Sequence, residues 1–141
     1  MEILLAEDDK DDVELYREAI AESSLNITLS HVLECDHILF RLSSNDKPDM
    51  IVMDSSMPGK TIYECIDSIR SKFPIEDLPV VVLSGSVTNS SREKGYNAGF
   101  NLMLQKPCTF DAFKSLFQKL SSVDWNANPV LTSEEFYKLP G

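Results

Sequence analysis

Apolar runs too short for helices, alternating with segments of helical spacing, constrain this chain more than any other feature. Ile3 to Ala6, Met50 to Met53, Val80 to Leu83 and Leu102 to Leu104 are such runs. A continuous short run is the pattern of a parallel strand covered by helices on both faces. Ile27, Leu29 and His31 alternate with Thr28 and Ser30, as in a half-exposed strand. Between the strands, Val13, Tyr16 and Ile20 recur at helical spacing within Asp11 to Glu22, and Ile38, Leu39 and Leu42 mark a second helix. Ile62, Ile66, Ile69 and Phe73 mark a third, opened by a capping-box pair, Thr61 and Glu64, and closed before Pro74. Phe113, Leu116, Phe117 and Leu120 form the face of the last. From Thr88 to Asn97 the intervening helix is weak, with Asn89, Ser90 and Ser91 in its first turns and Gly95 inside, and it is expected to be the mobile one. Five βα units predict a doubly wound α/β fold with a five-stranded parallel sheet.

At 141 residues the chain suits one core, so a single domain is expected over residues 1–123, with no attached output domain. Beyond it "DWNANPVLTSEEFYKLPG", residues 124–141, has no strand period, holds Pro129 and Pro140, and reads as a tail. The formal charge of −10 opposes phosphate backbones and anionic lipid, so no DNA binding is expected. No stretch approaches the roughly 18 apolar residues of a membrane span, and no signal peptide opens the chain. Cys35, Cys65 and Cys108 are odd in number, far apart and never in a CxxC pair, which argues for reduced thiols and a cytoplasmic setting. His31 and His37 form no ligand set with them.

In an open α/β sheet the ligand crevice lies beyond the carboxyl ends of the strands. There the chain places Glu7-Asp8-Asp9 after the first strand, Asp54 after the third, Ser84 after the fourth and Lys106-Pro107 after the fifth. Clustered carboxylates repel unless a cation neutralises them, and an all-oxygen set selects a hard divalent ion, most simply Mg²⁺. Asp54 can then attack a phosphoryl group, Lys106 can balance the added charge, and the Ser84 hydroxyl can donate to a phosphoryl oxygen. Asp11 and Asp12 read as caps favoured by the helix dipole. A dehalogenase-like phosphatase would place a second Asp two residues after the nucleophile, where this chain has Ser56. A flavodoxin-like flavin binder would not meet its phosphate with Glu7-Asp8-Asp9.

"LLAEDD", "IVMDSSMP", "VVLSG" and "LQKP", in that order, are similar to the motifs of response-regulator receiver domains, over roughly Glu2 to Val123. The resemblance implies a flavodoxin-like sheet of order 2-1-3-4-5, with Asp54 as phosphoacceptor, Lys106 as phosphate-binding cation and Ser84 as switch hydroxyl. It implies metal contacts from Asp8, Asp54, the Ser56 backbone carbonyl and, through water, Glu7, with Asp9 in support and the Lys106–Pro107 bond cis. The function implied is that of a single-domain response regulator, phosphorylated with Mg²⁺ by a histidine kinase or phosphotransfer protein and read by a downstream protein target. It would catalyse only its own phosphorylation and slow hydrolysis, with Ser56 and Ser86 flanking the path of the attacking water. Two positions depart from the family pattern: Thr61-Ile62 stands where Asp-Gly is common, and Met103 where an aromatic switch residue is common. The alternative is a degenerate receiver that binds protein partners regardless of phosphate.

Overall fold

The computed structural model describes residues 1–139; Pro140 and Gly141 of the expected tail lie outside the described residues. The chain runs β1 (Glu2–Ala6), α1 (Lys10–Glu22), β2 (Thr28–Val32), α2 (Cys35–Ser43), β3 (Met50–Asp54), α3 (Ile62–Arg70), β4 (Val80–Ser84), α4 (Asn89–Ala98), β5 (Leu102–Gln105), α5 (Phe110–Ser122) and a short α6 (Ser133–Tyr137). The five strands are all parallel in the order β2-β1-β3-β4-β5, as expected from sequence. The apolar runs of β1, β3, β4 and β5 are buried because helices cover both faces, whereas β2 lies at an edge and is nowhere fully buried.

Strand parity splits the core in two. Ile3, Leu5, Met50, Val52, Leu102 and Leu104 face α1 and α5, where Tyr16, Phe113 and Phe117 stack. Leu4, Ala6, Ile51, Met53, Val80 and Val82 face the side on which Ile38 and Leu42 of α2 and Ile66 and Ile69 of α3 pack. The capping box of Thr61 and Glu64 starts α3 as its sequence predicts, and Gly59, at φ +83°, makes the turn before it. The third helix stops at Arg70, four residues short of Pro74.

The cysteines correct the sequence reading. Cys35 and Cys65 are joined in a disulfide, and only Cys108 is a free, exposed thiol. The physical reason is that α2 and α3 are neighbours on one face of the sheet, so a thiol on the inner side of each helix is brought to a Cα separation of 5.8 Å. Spacing along the chain does not reveal that proximity.

The segment from Asp124 shows no strand period, yet it packs on the domain. Phe136 is fully buried in the core beneath α1 and α5, and Trp125 and Leu139 lie against the same core. Burial of a Phe side chain contributes about 1.5–3 kcal/mol. Polar bonds fix the path: Leu131 N donates to Asn101 O at 3.0 Å, Asn101 Nδ2 to Pro129 O at 2.5 Å, and Lys119 Nζ to the carbonyl of Leu139. Among the described residues no helix is long and apolar enough to cross a membrane.

Candidate functional site at the carboxyl edge of the sheet

Register and parity together assemble the site. Ala6 pairs with Met53, so Glu7 comes level with Asp54; Ser84 pairs with Gln105, so Lys106 follows one residue beyond. Glu7, Asp54 and Lys106 share the parity of the residues that face α1 and α5, while Ser84 shares that of the opposite face. The carboxylates and the lysine therefore converge. Ser84 approaches from the other side of the sheet.

Asp54, 6% exposed, is held at both oxygens: Ser56 N donates to Oδ1 at 2.7 Å and Lys106 Nζ to Oδ2 at 2.6 Å. The same ammonium donates to Asp12 Oδ2 at 2.7 Å and lies 3.5 Å from Glu7 Oε2. Sequence reading missed Asp12. Its place in the first turn of α1 explains it as a cap, but the cap of α1 is Asp9, whose side chain accepts from Asp11 N and Asp12 N. That leaves the Asp12 carboxylate free to turn across the sheet edge to the lysine. Only the packing of α1 beside β5's end reveals it.

Glu7 is 2% exposed and fixed through its backbone, N donating to Val32 O at 3.1 Å and O accepting from His31 Nε2 at 2.6 Å. His31 thus anchors the Glu7 backbone. Glu7 Oε1 accepts from Asp9 N at 3.2 Å, but Oε2 is buried without a hydrogen bond when both carboxyls are ionised. Burial, then the hydrogen bond and charge of Asp54, push Glu7 up to about 8, so that in its protonated form it has Asp54 as acceptor. Burial alone would raise Asp54 too, but the bonds from Glu7, Lys106 and Ser56 N outweigh it and hold Asp54 below the usual carboxylate range. Burial likewise opposes the charge on Lys106, and its bonds to Asp12 and Asp54 reverse the sign, holding it above the ordinary lysine value.

Ser84 Oγ accepts from Ser55 Oγ at 3.1 Å and donates to Ser86 O at 3.0 Å. It makes no bond to Asp54. Asp8 and Ser56 are exposed, and the Asp8 side chain forms no hydrogen bond or ion pair among the described residues. The Lys106–Pro107 bond is trans, not the cis bond the resemblance implies. No cis bond is needed to aim the lysine, since its backbone N donates to Ser84 O at 2.7 Å and its extended side chain reaches Asp54 from there.

No group of three His, Cys, Asp or Glu side chains able to hold a metal ion occurs among the described residues. The donors nevertheless fit a hard cation, because Glu7 Oε2 is buried with no hydrogen bond, only the Lys106 ammonium at 3.5 Å, beside a second carboxylate, and both donors are oxygen. Glu7 and Asp54 are the two buried carboxylates at this edge, and Asp8 stands at the solvent side.

Residues 3–118 match the family model described as response regulator receiver domain. The response regulator MprA of Mycobacterium avium is 32% identical over 109 residues, which cover 76% of this chain and 45% of that protein. The chain spans still less, 5%, of the hybrid signal transduction histidine kinase D of Dictyostelium discoideum. Among solved structures, the phosphorylated cyanobacterial phytochrome response regulator RcpA is 27% identical at a TM-score of 0.73, covering 86% of this chain and 94% of that one. The Mn²⁺-bound form of the response regulator Rcp1 is 26% identical at a TM-score of 0.71, covering 86% and 91%. With a matching model over most of its length, a shared strand order and motifs gathered at one sheet edge, the chain belongs to the response regulator receiver domain family of two-component signalling.

Proposed function

We propose that this receiver takes a phosphoryl group on Asp54 from a histidine kinase or phosphotransfer protein and passes the resulting state to a protein target. The observation that carries the reading is the Asp54 carboxylate itself, buried, ionised and bonded to Lys106 Nζ at 2.6 Å beside the buried carboxyl of Glu7. A buried carboxylate held below its usual range is an available nucleophile at neutral pH. One oxygen of Asp54 attacks the phosphorus of a phosphohistidine, the P–N bond breaks, and the imidazole leaves with its electron pair. Lys106, already against Oδ2, then neutralises part of the charge gained. Ser84 leaves Ser55 and donates to a phosphoryl oxygen.

Receiver domains bind Mg²⁺, and Rcp1 has been seen with Mn²⁺. In this chain Glu7 and Asp54, with Asp8 and the Ser56 carbonyl, would hold the ion, which supplies charge compensation for the transferring phosphoryl oxygens. Labelled phosphoryl transfer from acetyl phosphate or a kinase, with Mg²⁺ present, tests the assignment. Label is expected in the parent and absent in Asp54→Asn; label retained in that variant would falsify the phosphoacceptor role. A receiver that binds its partner equally with and without beryllofluoride, the phosphoryl mimic, would instead be the phosphate-independent module.

A further inference from the structure

β5 is an edge strand, and its outward main-chain groups need partners. Two groups at this edge, the Asn101 carbonyl just before the strand and the Met103 amide within it, find partners inside the chain. Asn101 O accepts from Leu131 N, and Met103 N donates to Tyr96 Oη at 3.3 Å, while the same hydroxyl donates to Leu131 O at 2.5 Å. A single α4 side chain therefore joins β5 to the C-terminal segment.

The helix that carries Tyr96 is lightly held. Among its residues only Gly95 is buried, against Met103, and its N-terminus is fixed by the Thr88–Ser91 capping box. The loop leading into it begins at Ser84, whose hydroxyl bonds Ser86 O and Ser86 N, and Gln105 clamps the same loop by donating to Gly85 O and accepting from Val87 N at 3.2 Å. If Ser84 turns to a phosphoryl group on Asp54, those loop bonds are lost and the start of α4 shifts. An oxygen that satisfies two main-chain groups at once tolerates little displacement.

We propose that Tyr96 is a positioning residue that couples the Asp54 site to the docking of the C-terminal segment, so that phosphorylation loosens the stretch from Pro129 to Tyr137. The role left by Met103, a buried methionine where receivers commonly carry a mobile aromatic, passes to Tyr96 on the adjacent helix. This inference rests on the phosphoacceptor reading above.

The experiment uses the full chain with Mg²⁺, with and without beryllofluoride. Fluorine NMR reports whether the mimic is bound, amide exchange at Leu131 and Phe136 reports docking, and Trp125, the one tryptophan, gives an independent fluorescence readout. Loading is expected to speed Leu131 exchange by about tenfold, the change expected from losing one hydrogen bond's worth of protection. Tyr96→Phe should already exchange faster by a similar factor and show no further response, while binding beryllofluoride normally. Lys119→Ala, which frees the far end of the segment, should raise basal exchange yet keep the response at Leu131. Bound mimic with unchanged exchange in the parent, or a full response in Tyr96→Phe, overturns the coupling alone. No bound fluoride signal in the parent overturns the phosphoacceptor reading and the coupling with it.

Discussion

Glu7 is the residue whose protonation is set most strongly by the fold. A carboxyl with a folded pKa near 8 and an ordinary value of 4.5 binds its proton more tightly in the folded state. Its contribution to stability is full below about pH 4.5 and is lost as pH rises towards 8. Metal-free protein should therefore lose this contribution across that window, and Mg²⁺ uptake near pH 7 should release a proton. Calorimetric titration in two buffers of different ionisation enthalpy measures that proton; equal heats in both would oppose the assignment. Lys106→Met leaves Asp54 and Asp12 without their shared cation and should lower stability at pH 7 by about 1–3 kcal/mol, read from urea unfolding. Ser56 and Ser86 are exposed beside the site. Ser86→Phe or Ser56→Leu is expected to prolong the phosphorylated state, each tenfold slowing corresponding to about 1.4 kcal/mol in the barrier. Decay of labelled protein at fixed Mg²⁺ decides it. At this scale the residues on strand ends were readable, because parallel strands deliver their last residues to one edge. Asp12 was not, since its identity as a first-turn acid is equally that of a cap.

Among the elements, α4 shows how packing overrides propensity. Alanine at Gly95 would favour the helix by about 1 kcal/mol in isolation. Here its Cβ would stand 1.8 Å from Met103 Sδ and 2.7 Å from Cε, so the end of the Met103 side chain would have to leave its packed position. Gly95→Ala should therefore destabilise by about 1–2 kcal/mol, and the cost should largely vanish in a Met103→Val background that lacks both atoms. A double-mutant cycle by thermal unfolding measures the coupling, and additive effects would contradict it. The same element explains what sequence could and could not convey. Its weakness is written in Asn89, Ser90, Ser91 and Gly95, but its attachment through the Tyr96 hydroxyl depends on a segment some 35 residues away. The strands were legible because burial on both faces demands unbroken apolar runs. α6 was not, because a helix of five residues with one buried Phe has no period to detect.

For the whole molecule, two features hold distant pieces together. Asn101, fully buried, accepts from Val80 N and Arg70 Nη2 and donates to Ile75 O and Pro129 O, joining β4, α3 and the C-terminal segment. Arg70 also donates to Gly99 O and Leu78 O, and burial lowers it to about 10. Asn101→Ala should cost about 2–4 kcal/mol, because it strands several buried groups at once. The disulfide closes a loop across 30 residues, which in the chain-entropy picture is worth about 3–4 kcal/mol. A reductant should accordingly lower the unfolding midpoint of the parent and leave Cys35→Ser/Cys65→Ser unchanged; equal shifts would remove the bridge from the account. Neither feature follows from periodicity, because both join residues through side-chain geometry that only the assembled layers create.

The covered edge of β5 has a geometric consequence for association. A parallel sheet can add chains at two edges, and an assembly grows without end only when both are open. Here Leu131 and Tyr96 take up the Asn101 carbonyl and the Met103 amide at the β5 edge, whereas among the described residues β2 pairs with β1 alone. Main-chain pairing between copies is thus favoured at β2 against β2, a contact that uses itself up in a closed pair. A chain stripped of its C-terminal segment would present a second open edge and is expected to form open-ended assemblies, which sedimentation velocity checks.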